Sequence, residues 1–474
     1  MSQSGTELHE DRYFDPDPTI RRHAREIYEE TRALPIVSPH GHVDPALLAT
    51  DAPFPDPAAL LITPDHYVLR MLYSQGVPLE SLGVRPIDGK PPAAESDPRK
   101  VWQTFANHYN LFRGTPTRAW LEYELHDVLG ITEALNAESA LRVYDTIDER
   151  LQSAEFRPRA LFKRFNIEVL ATTDAASDTL EYHHQLREVE LGGRVIPCFR
   201  PDALFRIAAP AWSAELTKLE QVTGLTIRSA TELVAALAHR RQAFKALGAT
   251  ATDHGLLTPH TERLPEAEAE KLFAKAFLGA ANGEDQERFE AHLLMEMARL
   301  SVDDALVMQL HVGSLRNHND WLFHRYGTDT GGDIPIATEF TRNLRPLLNA
   351  YGSDPRFRLI VFTLDESTYS RELAPLVGHY PAMLLGAPWW FHDSIEGMTR
   401  FRQQTTETAG IANTAGFNDD TRAFCSIPAR HDLARRVDAN YLAGLVARHI
   451  VGMADARDMG TQMAYTLAKR AYRL

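Results

Sequence analysis

His40 and His42 stand two residues apart in LPIVSPHGHVDP, just past an apolar run, and imidazole nitrogens so placed suit a divalent metal ion. With 20 histidines in 474 residues, chance alone supplies about one His-x-His pair, so the spacing does not by itself separate a metal site from two histidines satisfied at a strand end. Company decides it. Asp420 in NDDTR offers a carboxylate and His311 in QLHVG a further imidazole, each at the end of another short apolar run. Arginines form the second group: Arg200 in PCFRPD, Arg316 in GSLRNHN and Arg422 in NDDTR. A guanidinium fork binds a carboxylate through paired hydrogen bonds, and three forks from three run ends point to an anion pocket rather than to unrelated surface ion pairs. Trp389, Trp390 and Asp393 in APWWFHDSIEGM suit a pocket wall, and Asp253 and His254 in ATDHG are polar liners. His66 and Tyr67 head an amphipathic helix in TPDHYVLRML. A helix starting over the barrel mouth would place both near a ligand, but the residues alone favour a cap-region role for His66 and ordinary packing for Tyr67.

Eight short apolar runs end in such residues, beginning near Leu34, Glu168, Arg194, Phe244, Leu306, Arg358, Ala382 and Asn413. Helical patterns separate most of them, such as SATELVAALAHRRQAFKAL and DLARRVDANYLAGLVARHIVGMA. Strands alternating with helices build a parallel sheet, and eight units close a (β/α)8 barrel whose chemistry sits at the C-terminal strand ends. The expected division is an N-terminal helix and first strand over 1–45, a helical insertion over 46–160, and the rest of the barrel over 161–474. A smaller insertion is expected near 256–301.

Composition narrows the class. The formal charge is −14, which argues against nucleic acid or an anionic membrane as the main partner but allows arginines to reverse the field in one cleft. Cys198 and Cys425 are the two cysteines, so neither a disulfide framework nor a zinc ribbon is expected. The polar N-terminus and the lack of a long apolar stretch predict a cytoplasmic protein.

The runs LPIVSPHGHVDP, DHYVLRMLYSQGV, TTDAASDTLEYHHQL, PCFRPD, MQLHVGSLRN, WWFHDSIEGM and DTRAFCSIPARHD resemble, in that order, the uronate (glucuronate) isomerases, a branch of the amidohydrolase superfamily. The resemblance implies a distorted (β/α)8 barrel with a helical insertion after strand one. It implies interconversion of D-glucuronate with D-fructuronate and of D-galacturonate with D-tagaturonate, at one divalent metal, zinc by family habit. Carried over by motif, His40, His42 and Asp420 form the metal shell with His311 beside it; the Asp-x-Arg spacing selects Asp420 over Asp419. His66, Tyr67, Arg200, Arg316, Arg422 and a tryptophan, Trp389, form the substrate pocket. Proton transfer between C2 and C1 needs an acid, a base and a stabiliser of the enediolate, and Asp420, Tyr67 and Arg422 are expected in those parts. A homo-oligomer is expected. The rival readings are a metal-dependent hydrolase of the same superfamily and a non-catalytic sugar-acid binder.

Overall fold

The computed structural model describes residues 8–474. β1 (Ile36–Ser38) pairs in parallel with β2 (Ile167–Ala171), and β2 with β4 (Arg194–Ile196). β3 (Asp174–Ala175) prolongs β2, and β5 (Phe199–Arg200) prolongs β4 past Pro197 and Cys198. Hydrogen bonding runs through both breaks: the Thr172 amide donates to the Ile196 carbonyl at 3.0 Å and the Asp174 amide to that of Cys198 at 3.0 Å. From β5 the parallel order continues through β6 (Ala251–Leu256), β7 (Val307–Val312), β10 (Leu359–Thr363) and β11 (Met383–Leu385). β8 (Ser314–Leu315) and β9 (Ile334–Pro335) form a separate antiparallel pair beyond the end of β7.

The eighth position, expected as a strand in NTAGFNDDTR, has no ladder. One parallel bridge joins Leu385 to Thr414, and the ring then closes on the tail of β1, where the His42 amide donates to the Thr421 carbonyl at 2.9 Å. Asn, Asp and Gly are poor strand formers, and Gly416 and Asp420 adopt φ of 77° and 42°, which no pleated strand accommodates. The fold is a distorted (β/α)8 barrel, as its sequence pattern predicts.

Alternation along the strands sorts side chains between the inside and outside of the ring. Val307, Ile360, Phe362 and Leu384 pack together within it, while Met308, Leu310, Val312, Leu359 and Val361 join the larger cluster beneath the helices. Gln309, at the same two-residue spacing, is buried and accepts from the Tyr472 hydroxyl at 2.8 Å. The periodicity that buries Val307 and Gln309 therefore also turns His311 inward, at the end of the same strand.

Between β1 and β2 the chain builds a helical layer with its own apolar cluster around Trp102, Phe105, Tyr109 and Phe112. Three of its helices start on Asp–Pro pairs: Asp44, Asp56 and Asp97 cap helices whose first residues are Pro45, Pro57 and Pro98. Asp accepts the otherwise unpaired amides, and Pro needs no donor at that position. Asp17 and Pro18 open the first helix, Pro18–Thr31, in the same way, and its Ala24 and Ile27 pack against Ala439, Leu442 and Ala443 of the long helix Ile427–Ala447.

Glu124, where the insertion meets the start of that long helix, is buried, and desolvation pushes its carboxyl up to about 8. The folded chain thus prefers the neutral acid. Stability is fully present below the ordinary carboxyl range and is lost as pH rises from about 4.5 toward 8. Replacing Glu124 by Gln should leave the melting temperature nearly unchanged at pH 5 and raise it at pH 8, by an amount worth about 2–4 kcal/mol. Thermal melts of both proteins at the two pH values check this, and equal shifts at both would contradict it.

Candidate active site

β1 stops at Ser38, so His40 and His42 do not occupy alternate positions of a strand as their spacing suggests; they follow Pro39 in a loop. The loop nevertheless turns both Nε2 atoms onto one carboxylate. Asp420 Oδ1 lies 3.4 Å from His40 Nε2 and 3.1 Å from His42 Nε2. A tetrahedral ion with bonds of about 2.0–2.1 Å separates its ligand atoms by about 3.3 Å, and both imidazole–carboxylate separations match that spacing. The left-handed backbone at Asp420, φ 42°, aims the carboxylate, and Asp tolerates that region better than most residues.

His311 completes the cluster. Its Nδ1 is 2.6 Å from Asp253 Oδ1; a carboxylate only accepts, so the proton sits on Nδ1 and Nε2 presents a lone pair. That Nε2 is buried without a hydrogen-bond partner, as is Asp420 Oδ2 at 3.9 Å from it. Two facing acceptors with no donor between them are costly in a protein interior, and a cation held beside them at Asp420 Oδ1 offsets that cost. The donor set therefore fits a divalent metal through His40, His42 and Asp420; His40, Asp253 and His311 form a second, overlapping group within ligand range. Burial alone would raise Asp420 and Asp253. The histidines outweigh it at Asp420, and Arg200 and His311 at Asp253, holding both carboxylates well below their usual range.

Aromatic stacking fixes the imidazoles. Phe362 lies 4.1 Å under His311, and His311 4.5 Å from His40, with rings nearly parallel. Gly386 explains how Phe362 fits: a Cβ there would come within 2.3 Å of the phenyl ring.

A cavity of about 370 Å³ opens above this cluster. Arg200, Arg316 and Arg422 all line it, but none is unpaired. Arg200 Nε donates to Asp202 at 2.7 Å and its Nη1 lies 3.4 Å from Asp253; Arg316 donates to Asp333 at 2.6 Å and Arg422 to Asp329 at 3.1 Å. A guanidinium has five N–H donors, so each keeps some for a ligand. Trp389 packs edge-on against His311 at 4.8 Å, and Trp390 lies beneath Arg316 at 5.2 Å.

The insertion supplies the remaining wall. Asp65 caps the helix His66–Ser74, so His66 and Tyr67 fall on its first turn over the barrel mouth. They stack at 4.8 Å, and His66 meets Trp390 edge-on at 5.3 Å. Burial and Arg422 push His66 down to about 3, so it is neutral. The Tyr67 hydroxyl donates to Asp393 Oδ2 at 3.1 Å, and burial holds the phenol well above its usual range.

Most residues proposed for the site from sequence border this cavity or the histidine cluster below it; Asp393 stands behind the wall, bonded to Tyr67. His254, expected as a polar liner, does not: strand alternation turns it to the helix side, where it stacks on Phe205 at 5.7 Å. Sequence reasoning missed Arg430, which lines the cavity and donates to the same Asp393 Oδ2 at 2.7 Å. It lies on a helix rather than at a strand end; its position in IPARHD, one turn past the helix start, is the signal that was there to use. Asp329 and Asp333 were also missed, because they stand in the loop YGTDTGGD, whose composition signals only turns.

A family model described as glucuronate isomerase matches residues 18–472. A uronate isomerase of Nostoc punctiforme is 57% identical over 468 residues, covering 98% of each chain. The crystal structure of a glucuronate isomerase from Caulobacter crescentus superposes with a TM-score of 0.96 at 50% identity, covering 99% of this chain and 97% of its own. A uronate isomerase structure from Thermotoga maritima gives 0.91 at 26% identity, covering 98% and 99%.

The ligand geometry predicts metal content directly. His40→Ala or Asp420→Ala should reduce bound divalent metal well below one equivalent per chain, while Arg316→Ala should not. Elemental analysis of purified proteins decides it, and full occupancy in either of the first two variants would remove the assignment.

Proposed function

The chain belongs to the glucuronate isomerase family and isomerises uronates, and we propose that the reaction runs in the cavity at the barrel mouth with one zinc ion held by His40, His42 and Asp420. The substrates are D-glucuronate and D-galacturonate, converted to D-fructuronate and D-tagaturonate. The observation that carries this reading is the convergence of two imidazole nitrogens on one carboxylate oxygen at the floor of a cavity walled by arginines. A bound divalent ion would polarise substrate oxygens and favour the enediolate.

The chain's own residues divide the remaining work. Aldose–ketose isomerisation moves one carbon-bound proton from C2 to C1 and shuffles one hydroxyl proton between the oxygens. Asp420 Oδ2, free of protein hydrogen bonds, takes the carbon-bound proton. Tyr67, reaching down from the helical insertion at 46–160, handles the hydroxyl proton. Arg422 follows Asp420 by two residues and stabilises the negative charge that develops. Arg316, half-exposed on the outer wall, receives the substrate carboxylate while Arg200 and neutral His66 hold hydroxyls; Trp389 closes the wall beside His311. Burial holds His311 below the usual imidazole range despite Asp253, which orients the ring, beside the metal.

We place the enzyme in the cytoplasm, consistent with two free, buried cysteines and with no helix among the described residues long and apolar enough to cross a membrane. Leu315, Trp321, Phe323 and Ile334 are exposed around the β8–β9 pair and suit a contact with a second copy. A monomer in light scattering would remove that assignment.

The anion pocket predicts selectivity. Each charge-assisted contact contributes about 1.5–3 kcal/mol, or about 10–100-fold in discrimination. Ketose should form from glucuronate or galacturonate and not measurably from glucose. Arg316→Met should raise KM for glucuronate about 10-fold or more, leaving kcat less affected. Initial rates under one metal and pH condition test both, and comparable rates for glucose and glucuronate would overturn the uronate reading.

A further inference from the structure

Tyr67 has one hydroxyl proton, and it is spoken for. That proton goes to Asp393 Oδ2, so what Tyr67 can turn toward a substrate is an oxygen lone pair. The phenol is also too strongly desolvated to serve as tyrosinate. A tyrosine in this setting accepts a proton only if it releases its own at the same time.

Asp393 is built to take it. It follows β11, is buried, and carries two donors on a single oxygen: the Tyr67 hydroxyl and Arg430 Nη1 at 2.7 Å. Its other oxygen, Oδ1, is buried with no partner. Arg430 is pinned in turn, stacked on Trp120 at 3.6 Å and lying over the Tyr67 ring at 5.5 Å. The charged groups acting on Asp393 are Arg430 on the long helix and Asp420 across the mouth, and the neutral Tyr67 phenol on the insertion helix acts through its hydrogen bond. Burial outweighs Arg430 and lifts the Asp393 carboxyl to about 6, where it can both take up and return a proton near neutral pH.

We propose that Asp393 is a positioning residue and second proton acceptor that acts through Tyr67. The substrate O–H breaks as its proton moves to the Tyr67 oxygen; the Tyr67 O–H breaks as its proton moves to Asp393 Oδ2; the reverse shift returns a proton to the neighbouring substrate oxygen. Two O–H bonds break and two form in each direction, with no redox change and no charged phenolate. Asp393 does not touch the substrate. The inference rests on the reading that the substrate occupies this cavity.

The test is the pH dependence of kcat for glucuronate in wild type, Asp393→Asn, Asp393→Glu, Tyr67→Phe and Tyr67→Phe/Asp393→Asn, each checked for fold by circular dichroism and for metal by elemental analysis. Wild-type kcat should fall as pH drops through about 6. Asp393→Asn should lose that limb and about 100-fold in kcat, with KM little changed, and the double variant should be no slower than the slower single variant. Asp393→Glu, which keeps a carboxylate for Arg430, should restore at least about tenfold with a displaced limb, and it stands in for the Asn variant should that one not fold. Infrared difference spectra between pH 5 and 8 should show a carboxylic acid band that Asp393→Asn lacks. An unmoved acid limb with near-normal kcat in Asp393→Asn, or losses that multiply in the double variant, would overturn the relay while leaving the isomerase reading intact. Full activity of Tyr67→Phe would instead remove Tyr67 from the reaction.

Discussion

Everything at the mouth of this barrel depends on Asp420, a buried carboxylate carried by the one edge of the ring that has no strand ladder. The loop from Ala415 to Thr421 leaves a single bridge at Thr414 and must be held by other means. The His42 amide ties it to the tail of β1, His431 Nε2 meets Asp419 Oδ2 at 3.1 Å, and Arg430 reaches the Asp419 carbonyl at 3.4 Å. Closing the barrel and presenting the Asp420 carboxylate are thus one contact. A regular eighth strand would have exchanged backbone hydrogen bonds all along β1, but its pleat has no place for the left-handed turn that swings Asp420 onto both histidines.

The same economy governs the insertion. Tyr67 and Trp120 are distant in sequence from the barrel's last helix, yet Arg430 joins them to it, stacking on one and sharing Asp393 with the other. A buried guanidinium needs both a flat apolar surface and an opposite charge, and each comes from a different segment. Lysine would satisfy the charge and forfeit the stack. The insertion is therefore docked over the mouth by the group that also shapes the electrostatics of Tyr67, which links the position of that wall to the chemistry beneath it.

The sequence made the barrel legible because apolar runs ending in His, Asp or Arg occur where strands do. Strands two to seven follow those runs, and the inward turn of His311 follows from two-residue periodicity alone. Three features escaped. The eighth run was read as a strand because its position in the count demanded one, although Asn, Gly and Asp signal a turn there. The arginines were read as free forks, since spacing along the chain does not reveal that Asp329 and Asp333, in a glycine-rich loop, come to meet Arg422 and Arg316. Partners supplied by loops leave no periodic trace, and Arg430 on its helix was invisible to a search for strand ends.

That pairing changes what the arginines do. Arg200, Arg316, Arg422 and Arg430 each already face at least one aspartate, so they add little net positive charge to the cavity. What they add is a set of oriented N–H donors, locked by the carboxylates behind them and by Trp120 and Trp390 beneath two of them. Oriented donors favour an anion whose oxygens match their positions over one that merely carries charge. Asp420 is a further negative charge at the floor of that cavity, set against two neutral-capable histidines rather than an arginine of its own. A divalent ion at those three residues would supply the opposite charge there, so attraction of a uronate and its orientation would arise from different parts of the site: the first from the His40–His42–Asp420 floor, the second from the paired arginines of the wall.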